Sequence, residues 1–84
     1  MIKEYVLYSE YQGELARSES LLDIYHMSLE EKEINKKYHM GDKFYFMKEI
    51  SKLKDSSSYI KTYEVEKYDV KIYKRGNKIY CKNI

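Results

Sequence analysis

The 84-residue chain has no proline and no tryptophan, only three glycines, two phenylalanines and one cysteine. A lone Cys81 rules out an intrachain disulfide, and a reducing, cytoplasmic setting is the expectation. No apolar run approaches the ~18 residues needed to span a bilayer. The opening MIKEYVLYSEYQ is too charged for a signal peptide. Neither a membrane partner nor a leader is therefore expected.

Catalytic and metal chemistry is equally thin. His26 and His39 stand far apart with no cysteine near them, so zinc spacing is absent and no metal is expected. The chain holds no G-x-S-x-G elbow, Walker loop or H-E-x-x-H helix. A strand-nicking tyrosine would need a histidine cluster or several arginines, which are missing. Cys81 lies on the inward side of its expected strand, where a thiol is inert. The sequence reads as a non-enzyme that takes no cofactor.

What is abundant is tyrosine, 11 of the 84 residues. Tyrosine suits half-buried strand positions, with the ring inward and the hydroxyl in water. Sheet cover over a thin core accounts for most of them, and interface anchoring remains open for some. Charge is divided along the chain. Residues 1–34 carry 3 basic and 8 acidic side chains, and residues 35–84 carry 13 basic and 6 acidic. Such asymmetry bears on partners and says nothing about fold.

Read in order, IKEYVLYS predicts a strand over Ile2–Ser9, broken by Gln12-Gly13. Leu21, Leu22, Tyr25 and Leu29 share one helical face, and Ile24, Met27, Ile34 and Tyr38 another. Ser28 and Glu31 have the spacing of a capping box. Two helical segments follow, about 19–27 and 29–37, or one kinked helix, with Glu30, Glu31 and Glu33 as a solvated first turn. Gly41-Asp42 closes this part. Residues 43–50, KFYFMKEI, fit a helix capped by Asp42 or an aromatic-rich strand, and β propensity favours the strand. Lys54 to Ser58 reads as a polar loop. Strands follow over Tyr59–Lys67, Tyr68–Arg75 and Lys78–Asn83, the last two joined at Gly76-Asn77 by a type II′ turn. The expectation is one α+β domain over 1–84. In it an N-terminal strand and one or two helices (1–40) pack on a C-terminal antiparallel sheet (41–84).

Two stretches, YHMGDKFYF and IKTYEVEKYDVKIYKRGNKIYC, resemble the strand pattern of small SH3-like β-barrel modules. The resemblance covers residues 38–82, a little over half the chain, and its motif is short and permissive. Modules of this look are frequent in phages and mobile elements, where they serve as binding domains. The resemblance implies an SH3-like curved sheet and a binding role. The helical N-terminal part departs from a bare barrel.

The Gly76-Asn77 turn sorts the hairpin onto two faces. Val70, Ile72, Ile79 and Cys81, with Tyr68, fall to the core. Tyr73 and Tyr80 fall outward, bracketed by Lys71 with Lys82 and Arg75 with Lys78. Like charges directly opposite each other cost about 0.2–1 kcal/mol per pair, so folding alone does not explain two such pairs side by side. A plain solvated face whose lysines discourage edge pairing is the bland account. A binding face is the sharp one.

Two functions fit. In the first, the protein is a phage or mobile-element inhibitor of a host nuclease or other nucleic-acid-handling or defence enzyme, comparable to an anti-CRISPR protein and acting by protein–protein contact. Glu30, Glu31 and Glu33 would then fill a cationic groove while the basic hairpin meets an acidic patch. In the second, the Tyr73/Tyr80 face is a platform for nucleic acid in an accessory module. Either works as monomer or homodimer.

Overall fold

The computed structural model describes residues 1–57 and 59–84, apart from the Ser56 side chain. It contains β1 (Ile2–Ser9), β2 (Gly13–Ser18), α1 (Leu21–Lys37), β3 (Phe44–Ser56), β4 (Lys61–Arg75) and β5 (Lys78–Asn83). The strands form one open antiparallel sheet in the order β2-β1-β3-β4-β5. With 57% of the chain in strands and one short helix, this is mainly a β protein. The expected α+β fold, with an N-terminal helical part set on a C-terminal SH3-like sheet, is thereby corrected. The first forty residues supply two strands of the same sheet, and β1 lies between β2 and β3.

β2 is the element that sequence reasoning missed. Its residues, GELARS, are mostly good helix formers, and tertiary contacts override that preference. Arg17 on β2 reaches Glu49 on the second strand over and Glu4 on β1, which fixes the segment in extended form. The ambiguous run at 43–50 is strand from Phe44 onward, within β3. Lys54, Asp55 and the Ser56 backbone extend β3 rather than forming a loop, and Ser58 lies outside the described residues. The expected break between Lys67 and Tyr68 does not occur: β4 runs 15 residues without interruption and starts at Lys61, not Tyr59.

The helix is one segment. Ser20 caps it, its hydroxyl accepting from the Asp23 N–H at 3.2 Å. Ser28 is not a cap. It sits mid-helix, fully buried, and its hydroxyl donates to the Tyr25 carbonyl at 2.6 Å, the back-bond that lets a buried serine satisfy itself within a helix. Glu30, Glu31 and Glu33 consequently lie in the second half of α1 and not in a first turn. Ile24 is fully buried among Tyr5, Leu7, Phe46, Val70 and Ile72, with Leu21 and Tyr25 packed alongside. Neither expected apolar face is buried as a unit: of the second set Ile24 alone enters the core while Met27, Ile34 and Tyr38 remain exposed, and of the first Leu22 and Leu29 are exposed.

A buried polar knot fixes the helix exit against the β1–β2 turn. Asp42 accepts from the Ser9 hydroxyl and from the backbone N–H groups of Tyr11 (3.2 Å) and Lys43 (2.8 Å). Its own N–H donates to the Asn35 side chain at 2.9 Å. Burial pulls the Asp42 carboxyl upward, but these donors hold it below the ordinary range.

β3 and β4 outrun their neighbours. β1 covers β3 only as far as Ser51, and β5 covers β4 only from Val70 onward. The remainder is a two-stranded ribbon that gives the molecule extents of 51 × 30 × 20 Å. The radius of gyration is 15.2 Å, against about 12 Å expected for a compact chain of this length.

The helix ends in a motif that invites one test. His39 N–H bonds to the Lys36 carbonyl and Met40 N–H to that of Asn35, with His39 left-handed at φ 52°. This is a Schellman arrangement with histidine where glycine is usual. His39→Gly should raise stability by about 1 kcal/mol, the strain released at that position, and thermal denaturation would measure it.

Candidate binding face

Ile24 marks the inner face of the sheet, so alternation along each strand assigns every other side chain to the outer face. On β4 and β5 the pairing matches the sequence expectation: Lys71↔Lys82, Ile72↔Cys81, Tyr73↔Tyr80, Arg75↔Lys78. Gly76 opens the turn with φ 63°, as a type II′ turn demands. Val70 and Ile72 are buried, and Tyr68, Ile79 and Cys81 pack against the same core. Burial pushes the Cys81 thiol upward, which lowers its thiolate content.

On the outer face the Tyr73 and Tyr80 rings stack, with centroids 5.7 Å apart and planes 25° apart. Lys71 Nζ lies 5.7 Å from the Tyr73 centroid. Among the described residues, Lys71, Arg75, Lys78 and Lys82 form no ion pair. Beside them is a shallow depression of about 350 Å³, lined by Lys71, Tyr73, Lys82, Asn83 and Ile84.

A second stack shares this face. Tyr8 on β1 and Tyr45 on β3 are register partners with rings 5.5 Å apart and 8° from parallel. Tyr45 is well exposed. Sequence reading could not join it to the hairpin, because only the β1–β3 and β3–β4 registers put both stacks on one side.

Between the outer-face tyrosines and the ribbon lies a charge network. Arg17 bonds Glu49, Glu14 (2.7 Å) and Glu4 (3.5 Å), and Lys67 reaches Glu49 at 3.7 Å. Glu49 is buried. The Arg17 hydrogen bond, opposed by burial, holds its carboxyl below the usual carboxylate range. Such a group stabilises the fold above its unfolded pKa of about 4.3, and this contribution is lost as pH falls through the lower folded value. Stability should therefore drop steeply below about pH 4. Glu49→Gln should flatten that acid limb while lowering stability at neutral pH, as pH-dependent denaturant melts would record.

The acidic residues do not join this surface. Glu30, Glu31 and Glu33 sit on α1, which covers the inner face, whereas Tyr73, Tyr80, Lys71, Arg75, Lys78 and Lys82 lie on the outer one. Nor do they gather with other ligands: among the described residues no three His, Cys, Asp or Glu side chains converge as a metal site would require. No helix among those residues is long and apolar enough to cross a membrane. No family model, curated protein or solved structure matches the chain.

The separation of the two groups changes what charge reversal should do. Glu30→Lys, Glu31→Lys and Glu33→Lys together should leave the fold intact, at under about 0.5 kcal/mol each for the exposed Glu30 and Glu33 and somewhat more for the half-buried Glu31. Binding through the outer face should stay unchanged. A loss in pull-down with a normal circular dichroism spectrum would show a partner that wraps both faces.

Proposed function

We propose that this is a small non-enzymatic binding protein that acts in the cytoplasm by protein–protein contact through its tyrosine-rich outer face. The observation that carries the reading is the pair of stacks, Tyr73–Tyr80 and Tyr8–Tyr45, set on one open sheet face beside unpaired cations. Tyrosines bring large contact area at low entropic cost and recur as interface anchors. Free lysines and an arginine around them favour an acidic patch on the partner.

Ring geometry supports protein over nucleic acid. A platform for single strands offers open ring faces to successive bases. Tyr73 has Tyr80 on one face and Lys71 near its ring, and Tyr8 and Tyr45 occupy one face of each other. The nucleic-acid accessory role is kept as the alternative because the four cations would serve phosphates equally well. In the cell, the proposed partner is a host nucleic-acid-handling or defence enzyme, with the protein as a phage-type or mobile-element inhibitor. Small size, the lack of a catalytic constellation and the Tyr-rich face support that role. Contact by the hairpin face alone replaces the earlier picture of an acidic helix filling a groove beside it.

Affinity purification of the tagged protein from its native cell, with and without nuclease, identifies the partner class. Against the captured partner, Tyr73→Ala with Tyr80→Ala should weaken binding by more than about 2 kcal/mol without unfolding the chain. Affinity should depend only shallowly on salt. A steep log–log slope would instead report phosphates neutralised and favour nucleic acid. Undiminished binding by the folded double mutant would return these tyrosines to sheet cover.

A further inference from the structure

Two pairs of like charges face each other across the β4–β5 hairpin, and they differ in what lies beside them. Lys71 and Lys82 line the depression of about 350 Å³ next to Tyr73, whereas Arg75 and Lys78 do not. The Ile84 N–H bonds the Asp69 carbonyl at 3.0 Å, so hydrogen-bonded pairs fall on the odd-numbered residues of β4. Lys71 and Lys82 are such a pair, with Cα atoms about 5.5 Å apart. Both side chains leave the same face, and both are exposed. Two ammonium groups on flexible stems can therefore meet at one point over the depression. Among the described residues neither forms an ion pair. Asp69, the next outer residue on β4, pairs with neither and does not line the depression.

The remaining walls are partly apolar. Tyr73 forms one of them, its ring held against Tyr80. Ile84 forms another; it is 89% exposed, and its backbone bond to Asp69 ties it to the sheet. The volume lies at the low end of the range that holds small ligands, about 300–1,000 Å³.

We propose that this depression seats an aryl phosphate, the phosphorylated tyrosine side chain of the protein partner. The inference rests on the protein-contact reading and narrows it to one contact. Lysine is a point charge with three donors and no acceptor. A carboxylate carries one charge, leaves one of the two ammonium groups uncompensated, and is matched better by an arginine fork. A nucleic-acid phosphodiester likewise carries a single charge. A phosphomonoester carries about −1.5 to −2 at pH 7 and three acceptor oxygens, so it compensates both lysines at once. Tyr73 and Ile84 then lie where an aromatic ring attached to that phosphate would pack.

Phenyl phosphate titrated into the full chain, followed by backbone amide NMR shifts, tests the site. Saturable shifts are expected at Lys71, Tyr73, Lys82 and Asn83, with none along α1. Phenyl sulfate has the same ring and one charge fewer, and should bind about tenfold more weakly or worse. Inorganic phosphate keeps the charge without the ring and should also bind more weakly. Lys71→Gln with Lys82→Gln should abolish saturation while leaving the circular dichroism spectrum unchanged. Arg75→Gln with Lys78→Gln removes equal charge from the same face about 13 Å away, beyond the screening length of about 8 Å at physiological salt. That variant should bind phenyl phosphate as the parent does. Equal losses in the two double variants would report general attraction and overturn the proposal. So would equal affinity for phenyl sulfate or inorganic phosphate, or the absence of saturation up to millimolar ligand. Partner capture that survives phosphatase treatment of the lysate, with Tyr73 and Tyr80 still required, would overturn this inference and leave the protein-contact reading standing.

Discussion

Ile24 set among Tyr5, Leu7, Phe46, Val70 and Ile72 decides which face of the sheet is interior, and the rest of the molecule is arranged around that contact. Because side chains alternate on a strand, one buried helix residue assigns a side to the residues of all five strands. A single 17-residue helix cannot cover both faces. The outer face therefore has to be made compatible with water by means other than burial under a second layer. Tyrosines stacked in pairs and a charge network around Glu49 take that role. Val6, on the outer side, is nonetheless fully buried, in register with Arg17 and Met47 as its cross-strand neighbours.

The same constraint explains why the tyrosine content is high while the buried core is small. Among the described residues seven hydrophobic side chains are buried, and two of them are tyrosine and phenylalanine left slightly exposed. A half-covered sheet needs side chains that pack along one edge and hydrate along the other, which tyrosine does and leucine does not. Sheet cover and binding are thus not competing explanations for the outer face. Rings placed there to shield backbone are already presented for contact.

Legibility from sequence followed the range of the interaction. The β4–β5 hairpin could be read residue by residue, since a two-residue turn fixes its register and Gly76 supplies the backbone conformation that turn needs. Where folding depended on distant partners, local reading failed. Arg17 holds β2 extended through Glu49, 32 positions away. Ser28 resembles a helix cap until its hydroxyl is seen bonding back to Tyr25. The knot at Asp42 draws on Ser9 and Asn35, and nothing in the spacing of those three announces it. Half of the candidate face was legible for the same reason, the hairpin half. The Tyr8–Tyr45 stack depends on registers between strands far apart in sequence.

Strand length sets the remaining asymmetry. β3 and β4 are 13 and 15 residues, whereas β1, β2 and β5 are 8, 6 and 6. A ladder satisfies backbone groups only where both neighbours are present. The central pair must therefore project, with one bare edge on each side. On the β3 side the projecting edge is short and interrupted at Leu53/Asp55. On the β4 side it is longer and uninterrupted, and it carries Lys61, Glu64, Glu66 and Lys67, charges of the kind that discourage strand pairing. Water satisfies the backbone groups of such an edge. An edge of this kind and the tyrosine face meet along β4, so what happens at one alters the area presented by the other.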